Sequence, residues 1–286
     1  MKIQKAVITA GARWQRTLPL QSLIDRDGQE RTVLRILLDE VRRAGIDEIA
    51  VVIPAGDEAE FARAAGDRNV KFIEQREPAG YAHAIHCARA FTAGQPFLHL
   101  VGDHLYAGGN GVSPTERVVE IAEAEGCTVS AVQATRETLL SHYGAIGGQR
   151  VTGKPDLYRV TKVLEKPTPT EAEQELPISG LRAGHYLCFF GMHVLTPSVM
   201  EILERGLAEP GEKITLSAAL SELAAREQYL AVEQTARRYD IGAKYGLFYA
   251  QLALGLNGRD RNALLAQLLE LVALHNTETH EIGQGA

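Results

Sequence analysis

The stretch VKFIEQREPAGYAHAIHCARAFTAGQPFLHLVGD, residues 70–103, decides the fold. Val70 to Glu74 reads as a strand, Tyr81 to Phe91 as a helix and Phe97 to Val101 as a second strand ending at Gly102-Asp103. A short β-branched or aromatic run, a helical stretch and another such run form one strand–helix–strand unit, which closes by a right-handed crossover into a parallel sheet. The same alternation extends towards the N-terminus. Lys5 to Thr9 and Glu48 to Pro54 read as strands, and Asp57 to Ala65 as a helix. Thr32 to Ala44 reads as a helix with Val33, Leu34, Leu37, Leu38 and Val41 on one face. Ligands of such sheets sit outside the carboxyl ends of the strands. The positions just after Thr9, Glu74 and Val101 are therefore the first candidates for a site.

Beyond about residue 127 the pattern changes. Thr128 to Thr135 reads as a strand, and Tyr143 to Glu165 as a hairpin broken by Gly-Gly and Gly-Lys-Pro turn signals. Ala183 to Val194 is an apolar run suited to a buried strand. Thr196-Pro197 has the signature of an N-cap followed by proline at the first helical position, opening a helix through Glu204. Ile214 to Ala225 reads as a helix, Tyr229 to Glu233 as a strand, and Tyr245 to about Leu274 as helix, with a frayed polar tail from Asn276. The expectation is one α/β domain over residues 1–258, with a mixed, mostly parallel sheet, followed by a C-terminal helix and tail over 259–286.

With 286 residues, 45% hydrophobic and 23% charged, the chain can bury a sizeable core without disulfides. A formal net charge of -6 argues against a sequence-independent nucleic-acid binder, which needs basic surface. Cys87, Cys127 and Cys188 form no CxxC pair and read as reduced thiols. The N-terminus has too short an apolar run for a secretory signal, and no segment is long enough to span a bilayer. The expectation is a cytoplasmic protein without a nucleic-acid or membrane partner.

Several short strings then fall in one order: Lys5-Ala6-Val7-Ile8, Ala44-Gly45-Ile46-Asp47-Glu48-Ile49, Gln75-Arg76-Glu77-Pro78-Ala79-Gly80-Tyr81-Ala82-His83-Ala84 and Gly102-Asp103. Tyr143-Gly144, Val163-Leu164-Glu165-Lys166-Pro167, Val194-Leu195-Thr196-Pro197 and Arg238-Tyr239-Asp240-Ile241-Gly242 follow. Singly they are common; jointly, from Lys5 to about Leu254, they resemble the bacterial UTP–glucose-1-phosphate uridylyltransferases. The resemblance implies a Rossmann-like, GT-A-like nucleotidyltransferase domain. It implies formation of a UDP-sugar, UDP-glucose first among them, and pyrophosphate from UTP and a hexose 1-phosphate. Mg²⁺ is the implied cofactor, and the family analogy adds a homo-oligomer.

The same resemblance assigns roles, each with a physical reason. Gln75 can present an amide to a pyrimidine edge, and Gly80 lets backbone approach a flat ring. Asp103 and Asp240 are hard oxygen ligands suited to Mg²⁺; the family often has a second Asp where this chain has His104. Glu165 can accept bonds from vicinal sugar hydroxyls, Lys166 can neutralise the attacking phosphate, and Tyr143-Gly144 offers close backbone to the hexose. Lys244 is a second cation that either faces phosphate or is simply solvated. His83 and His86, one turn apart, lack a third ligand and read against a zinc site.

The loop after the first strand departs from the resembled family. There a Gly-rich turn, an Arg and a later Pro-Lys hold the triphosphate; here the chain reads Ala10-Gly11-Ala12-Arg13-Trp14-Gln15-Arg16-Thr17-Leu18-Pro19-Leu20. Gly11 alone remains of the glycines and the lysine is absent. Arg13 and Arg16 are the candidate replacements, since guanidinium binds phosphate in a forked geometry. The alternative is a catalytically impaired relative that binds a nucleotide sugar or a partner protein.

Overall fold

A computed structural model describes residues 1–11, 16–109, 111–209 and 214–282. Four of the five residues of strand β1 (Lys5–Thr9) are buried. Ala6 and Ile8 enter one apolar cluster and Val7 another, as the two-residue period of a strand buried on both faces requires. A small hairpin, β2 (Ser22–Ile24) and β3 (Glu30–Thr32), leads into helix α1 (Val33–Arg43). The Thr32 side chain caps that helix by accepting from the Arg35 N–H at 3.1 Å. The chain continues through β4 (Glu48–Pro54), α2 (Glu58–Ala65), β5 (Val70–Gln75), α3 (Tyr81–Cys87), α4 (Arg89–Thr92) and β6 (Phe97–Val101). Helix α1 packs Leu34, Leu37 and Val41 on one face of the sheet, and α3 packs Ala82 and Ile85 on the other.

Beyond β6 come β7 (His104–Ala107), α5 (Pro114–Glu125), β8 (Thr128–Arg136), β9 (Ala145–Arg150), β10 (Leu157–Leu164), α6 (Pro169–Glu175) and β11 (His185–Leu195). The last elements are α7 (Pro197–Ala208), α8 (Leu216–Arg226), β12 (Tyr229–Glu233), β13 (Arg237–Asp240), α9 (Gly246–Leu256) and α10 (Arg261–Ile282). The main sheet has nine strands in the order β5-β4-β1-β6-β11-β8-β12-β10-β9. From β5 to β6 all neighbours are parallel. At β11 the direction reverses, and the pairs beyond are antiparallel apart from β8–β12.

The sheet is therefore mixed, with its parallel half where the strand–helix alternation placed it. Strand β11 carries the seam, pairing with β6 along its C-terminal part, with β9 along its N-terminal part and with β8 along both. It shifts register between Phe189 and His193. Gly191 makes this possible: its φ is +83°, and a Cβ there would lie 2.6 Å from Val101 Cγ2.

The sequence reading and the structure differ at identifiable points. The Tyr81–Phe91 helix is two pieces, with Ala88 between them. The helix from Tyr245 is also two, interrupted around Asn257, and the second runs past Asn276 to Ile282. Thr196 precedes Pro197 as expected but makes no side-chain cap bond; its hydroxyl meets Thr128 Oγ1 at 2.9 Å instead. The β2–β3 hairpin, α5, α6 and the β7–β13 pair are elements that the sequence pattern did not yield.

Candidate active site

The carboxyl ends of β1, β5 and β6 open on a cavity of about 690 Å³. Thr9, Gly11, Gln75, Gly80, Tyr81, Asp103, His104, Glu165 and Lys166 are among its lining residues. The ends named from the strand pattern are thus the walls of the cavity.

At one end the Gln75 amide is held rather than free. It is 6% exposed. Its Nε2 donates to the Gly80 carbonyl at 3.1 Å and lies 3.0 Å from His83 Nδ1. Its Oε1 lies where a Cβ on Gly11 would come within 2.6 Å. Gly80 itself has φ +104°, a conformation that L side chains rarely adopt, and it opens α3. Gln75 and Gly80 therefore form one braced corner.

Tyr81 belongs to this corner, and nothing in the sequence marks it apart from its place inside a quoted motif. The residue is 40% exposed. Its hydroxyl lies 3.4 Å from His99 Nδ1, and His99 Nε2 lies 3.2 Å from Thr9 Oγ1. Burial first, then the neighbouring His193, holds the His99 imidazole well below its ordinary pKa, so it is a neutral relay of two hydroxyl contacts.

The centre is acidic. Strand β6 ends at Val101, which puts Asp103 at its mouth, and β7 begins at His104. Strand β13 pairs with β7 so that Asp240 stands opposite His104. Ligand atoms of Asp103, His104 and Asp240 all lie within 4.8 Å of one another, the one such trio among the described residues. Two carboxylates remote in sequence are brought together by a two-stranded sheet that no local pattern announces. His104 Nδ1 contacts Asp103 Oδ1 at 2.8 Å, and the Gly242 N–H donates to Asp240 Oδ1 at 2.9 Å. Burial raises the Asp103 pKa, but the hydrogen bond and charge of His104 outweigh it and leave the carboxyl below its usual value.

At the far end, Glu165 and Lys166 follow β10. Ser217, on α8, donates to Glu165 Oε2. Lys166 has φ +48°, a left-handed conformation unfavourable for a side-chain-bearing residue. Gly144 lies against the same serine: a Cβ there would be 2.7 Å from Ser217 Oγ and 2.8 Å from Phe189. Tyr143 lies beneath the guanidinium of Arg238. Tyr143 and Gly144 therefore reach the cavity wall through Ser217 and Glu165. Ser217 carried no sequence signal.

The expected phosphate cations are placed differently. Arg13 lies outside the described residues. Arg16 is 60% exposed and pairs with Asp57 at 3.8 Å. Lys244 has its Nζ 5.2 Å from the Tyr245 ring centroid. Pro19 lines the cavity, and Lys166 is the cation among the described lining residues.

Comparison with known proteins bears on the family and the fold. The family described as nucleotidyl transferase matches residues 18–255, most of the chain and the cavity lining apart from Thr9, Ala10 and Gly11. The chain belongs to the nucleotidyl transferase family. Among curated relatives it is similar to a UTP–glucose-1-phosphate uridylyltransferase of Bacillus subtilis (strain 168), 26% identical over 97% of this chain and 98% of that one. A UTP–glucose-1-phosphate uridylyltransferase of Streptococcus pneumoniae is 26% identical over 89% of this chain and 91% of its own. Among solved structures, the UDP-glucose pyrophosphorylase of Acinetobacter baumannii superposes with a TM-score of 0.73 at 22% identity, over 94% of this chain and 99% of that one. The fold of this nucleotidyl transferase is therefore that of the pyrophosphorylases. No helix of the described residues is long and apolar enough to cross a membrane.

Proposed function

We propose that this nucleotidyl transferase makes UDP-glucose, or a closely similar UDP-sugar, and pyrophosphate from UTP and a hexose 1-phosphate. The observation that carries the reading is the convergence of Asp103, His104 and Asp240 beside a cavity that also holds Gln75, Gly80, Glu165 and Lys166. The near-full-length likeness to UTP–glucose-1-phosphate uridylyltransferases supports the choice of nucleotide and sugar.

In this reading the Gln75–Gly80 corner takes the base, with Gly11 beside it. Glu165 and Gly144 take hexose hydroxyls, with Tyr143 supporting Gly144. The Lys166 ammonium holds the hexose phosphate as one of its oxygens attacks the α-phosphorus of UTP; the bond to the bridging oxygen breaks and pyrophosphate leaves. Arg13 and Arg16 serve the departing pyrophosphate, with Arg16, itself exposed, leaving its long 3.8 Å contact with the half-buried Asp57. The donor set fits Mg²⁺: two carboxylates are ligands of the right hardness, and phosphate oxygens and water complete such a shell. Asp103 and Asp240 would hold the ion, with His104 fixing the Asp103 carboxylate. When bound, Mg²⁺ supplies neutralisation of phosphate charge. The catalytic unit is residues 1–258, acting in the cytoplasm and in a homo-oligomer.

The test is pyrophosphate release across a panel of nucleoside triphosphates and sugar 1-phosphates, with UTP and glucose 1-phosphate expected to be the best pair. Silence from every pair would end the reading. The missing loop lysine favours one rival, a protein that binds the nucleotide sugar without making it. Calorimetry showing UDP-glucose binding alongside that silence would establish the rival.

A further inference from the structure

The side chain of Arg238 has no place in the reaction just described, yet its setting is unusual. It lies on β13, two residues before Asp240, with its guanidinium 3.5 Å from the centroid of the Tyr143 ring. One guanidinium nitrogen, Nη1, is buried without a hydrogen-bond partner. The other, Nη2, is 3.5 Å from Thr135 Oγ1, a long contact. A buried donor left unpaired is costly, so the position is held by something other than hydrogen bonding. The aromatic face beneath it supplies that attraction.

Tyr143 is held from a second direction by the His104 ring, edge-on at 6.5 Å. His104 in turn contacts Asp103 and stands opposite Asp240. On the other side Tyr143 continues into Gly144, whose carbonyl accepts from the Phe189 N–H at 2.9 Å and which has no room for a Cβ beside Ser217 Oγ. Ser217 is the residue that donates to Glu165. A continuous line of contacts therefore runs from the carboxylate trio to the sugar-facing carboxylate, and the Arg238–Tyr143 stack is its middle.

We infer that Arg238 is a positioning residue for the hexose phosphate: through the Tyr143 ring it fixes the Tyr143-Gly144 segment, and with it the Ser217–Glu165 contact, relative to the Asp103–Asp240 pair. The inference rests on the proposed placement of the sugar at the Lys166 end of the cavity. It assigns Arg238 to one substrate and not the other, because the Gln75–Gly80 corner is built on different strands and shares none of these contacts.

The experiment is a steady-state comparison of Arg238→Gln, Arg238→Lys, Tyr143→Phe, Tyr143→Leu and the Arg238→Gln/Tyr143→Leu double variant. Calorimetric titrations with glucose 1-phosphate and UTP are run beside the kinetics. Arg238→Gln is expected to raise KM and Kd for glucose 1-phosphate about tenfold, the loss of one well-stacked cation, with UTP values within about twofold. Arg238→Lys keeps the charge without the flat plane and falls between; Tyr143→Phe keeps the ring face and is expected to lose less than Tyr143→Leu. The double variant is expected to be no worse than Tyr143→Leu alone, since both break one contact. Arg237→Gln, at the exposed neighbouring position, serves as the control.

Equal shifts for UTP and glucose 1-phosphate, or additive losses in the double variant, would overturn the inference. If Arg238→Gln does not fold, the Lys and Tyr143 variants decide the matter by the same criteria. A wild-type protein that binds glucose 1-phosphate but never turns over defeats the functional reading and leaves this inference to the titrations. One that binds no sugar phosphate defeats both.

Discussion

At the Gln75 end of the cavity the described lining groups are neutral and come from the edges of parallel strands, each held by its neighbours: Gly11 against Gln75, Gln75 to Gly80, Tyr81 to His99. At the Lys166 end they are charged and follow a strand of the antiparallel half, with a strained lysine and a carboxylate tied to Ser217; the acidic trio, held by the end of β6 and the β7–β13 pair, stands between the two ends. Both ends share one wall of the same sheet. In the proposed reading the first kind of end recognises shape and hydrogen-bond pattern, and the second manages phosphate charge. In this chain the charge-handling groups on the sugar side are assembled, whereas on the triphosphate side the lysine is missing and Arg16 is engaged with Asp57.

The sharpest way to probe that contrast is at the trio between the two ends. Asp103→Asn or Asp240→Asn is expected to lower kcat about a hundredfold to a thousandfold, as loss of a central charge-stabilising group does. The same variants should lose Mg²⁺ or Mn²⁺ affinity in a metal titration; a turnover indifferent to both changes and to chelator would remove the metal from the proposal.

Next in size is Lys166. Lys166→Met should cost about a hundredfold in kcat/KM for the hexose phosphate. Lys166→Gly should cost the same while gaining about 1 kcal/mol of stability, because glycine accepts φ +48° without strain. Urea denaturation of the glycine variant reads this directly: destabilisation would mean that the side chain serves packing instead.

The seam between the halves supplies the third test. His99 and His193 face each other across β6 and β11 with ring centroids 5.9 Å apart, and Ser130 meets His193 Nδ1 at 2.6 Å. Burial pushes the His193 imidazole down to about 3. A group depressed in this way contributes fully above the unfolded value near 6.5, and its contribution falls as the pH drops towards the folded value. The protein should therefore lose about 2 kcal/mol at pH 5 relative to pH 7.5 from this residue alone. Unfolding curves at the two pH values measure it, and His193→Asn should remove this residue's share of the difference, leaving that of His99.

The smallest effect is expected at the triphosphate end. Arg16→Ala should lower kcat/KM for UTP about tenfold, for a cation partly screened by solvent, and leave the hexose phosphate KM unchanged. No change for UTP would show that this end works without Arg16.

How much of the molecule is legible in its sequence follows from where the information lies. Strands β1, β4, β6 and β12 have the bounds read from sequence, because each is a dense apolar run between turn signals. Helix α5 does carry a local signal that the strand–helix pattern passed over: Ser113 and Glu116 form a capping box around Pro114. The β7–β13 sheet has no such signal, since each strand is four residues long and joins segments far apart in the chain. Asp103 and Asp240 could be named through a family likeness; their approach to each other is a tertiary fact that no local pattern carries. The same holds for Ser217, which matters because of what faces it. Ala88 carries no breaker signal, whereas Asn257-Gly258 is a turn dipeptide that a continuous helix disregards.

The bend at Gly191 has a mechanical consequence. One covalent strand crosses from the parallel half of the sheet, behind the Gln75 end, to the half behind the Lys166 end, and it is hydrogen-bonded to both. The two walls cannot swing apart like jaws without tearing that ladder. Whatever admits substrates and releases products must therefore move at the rim, in the connections above the strand ends, while the floor stays put.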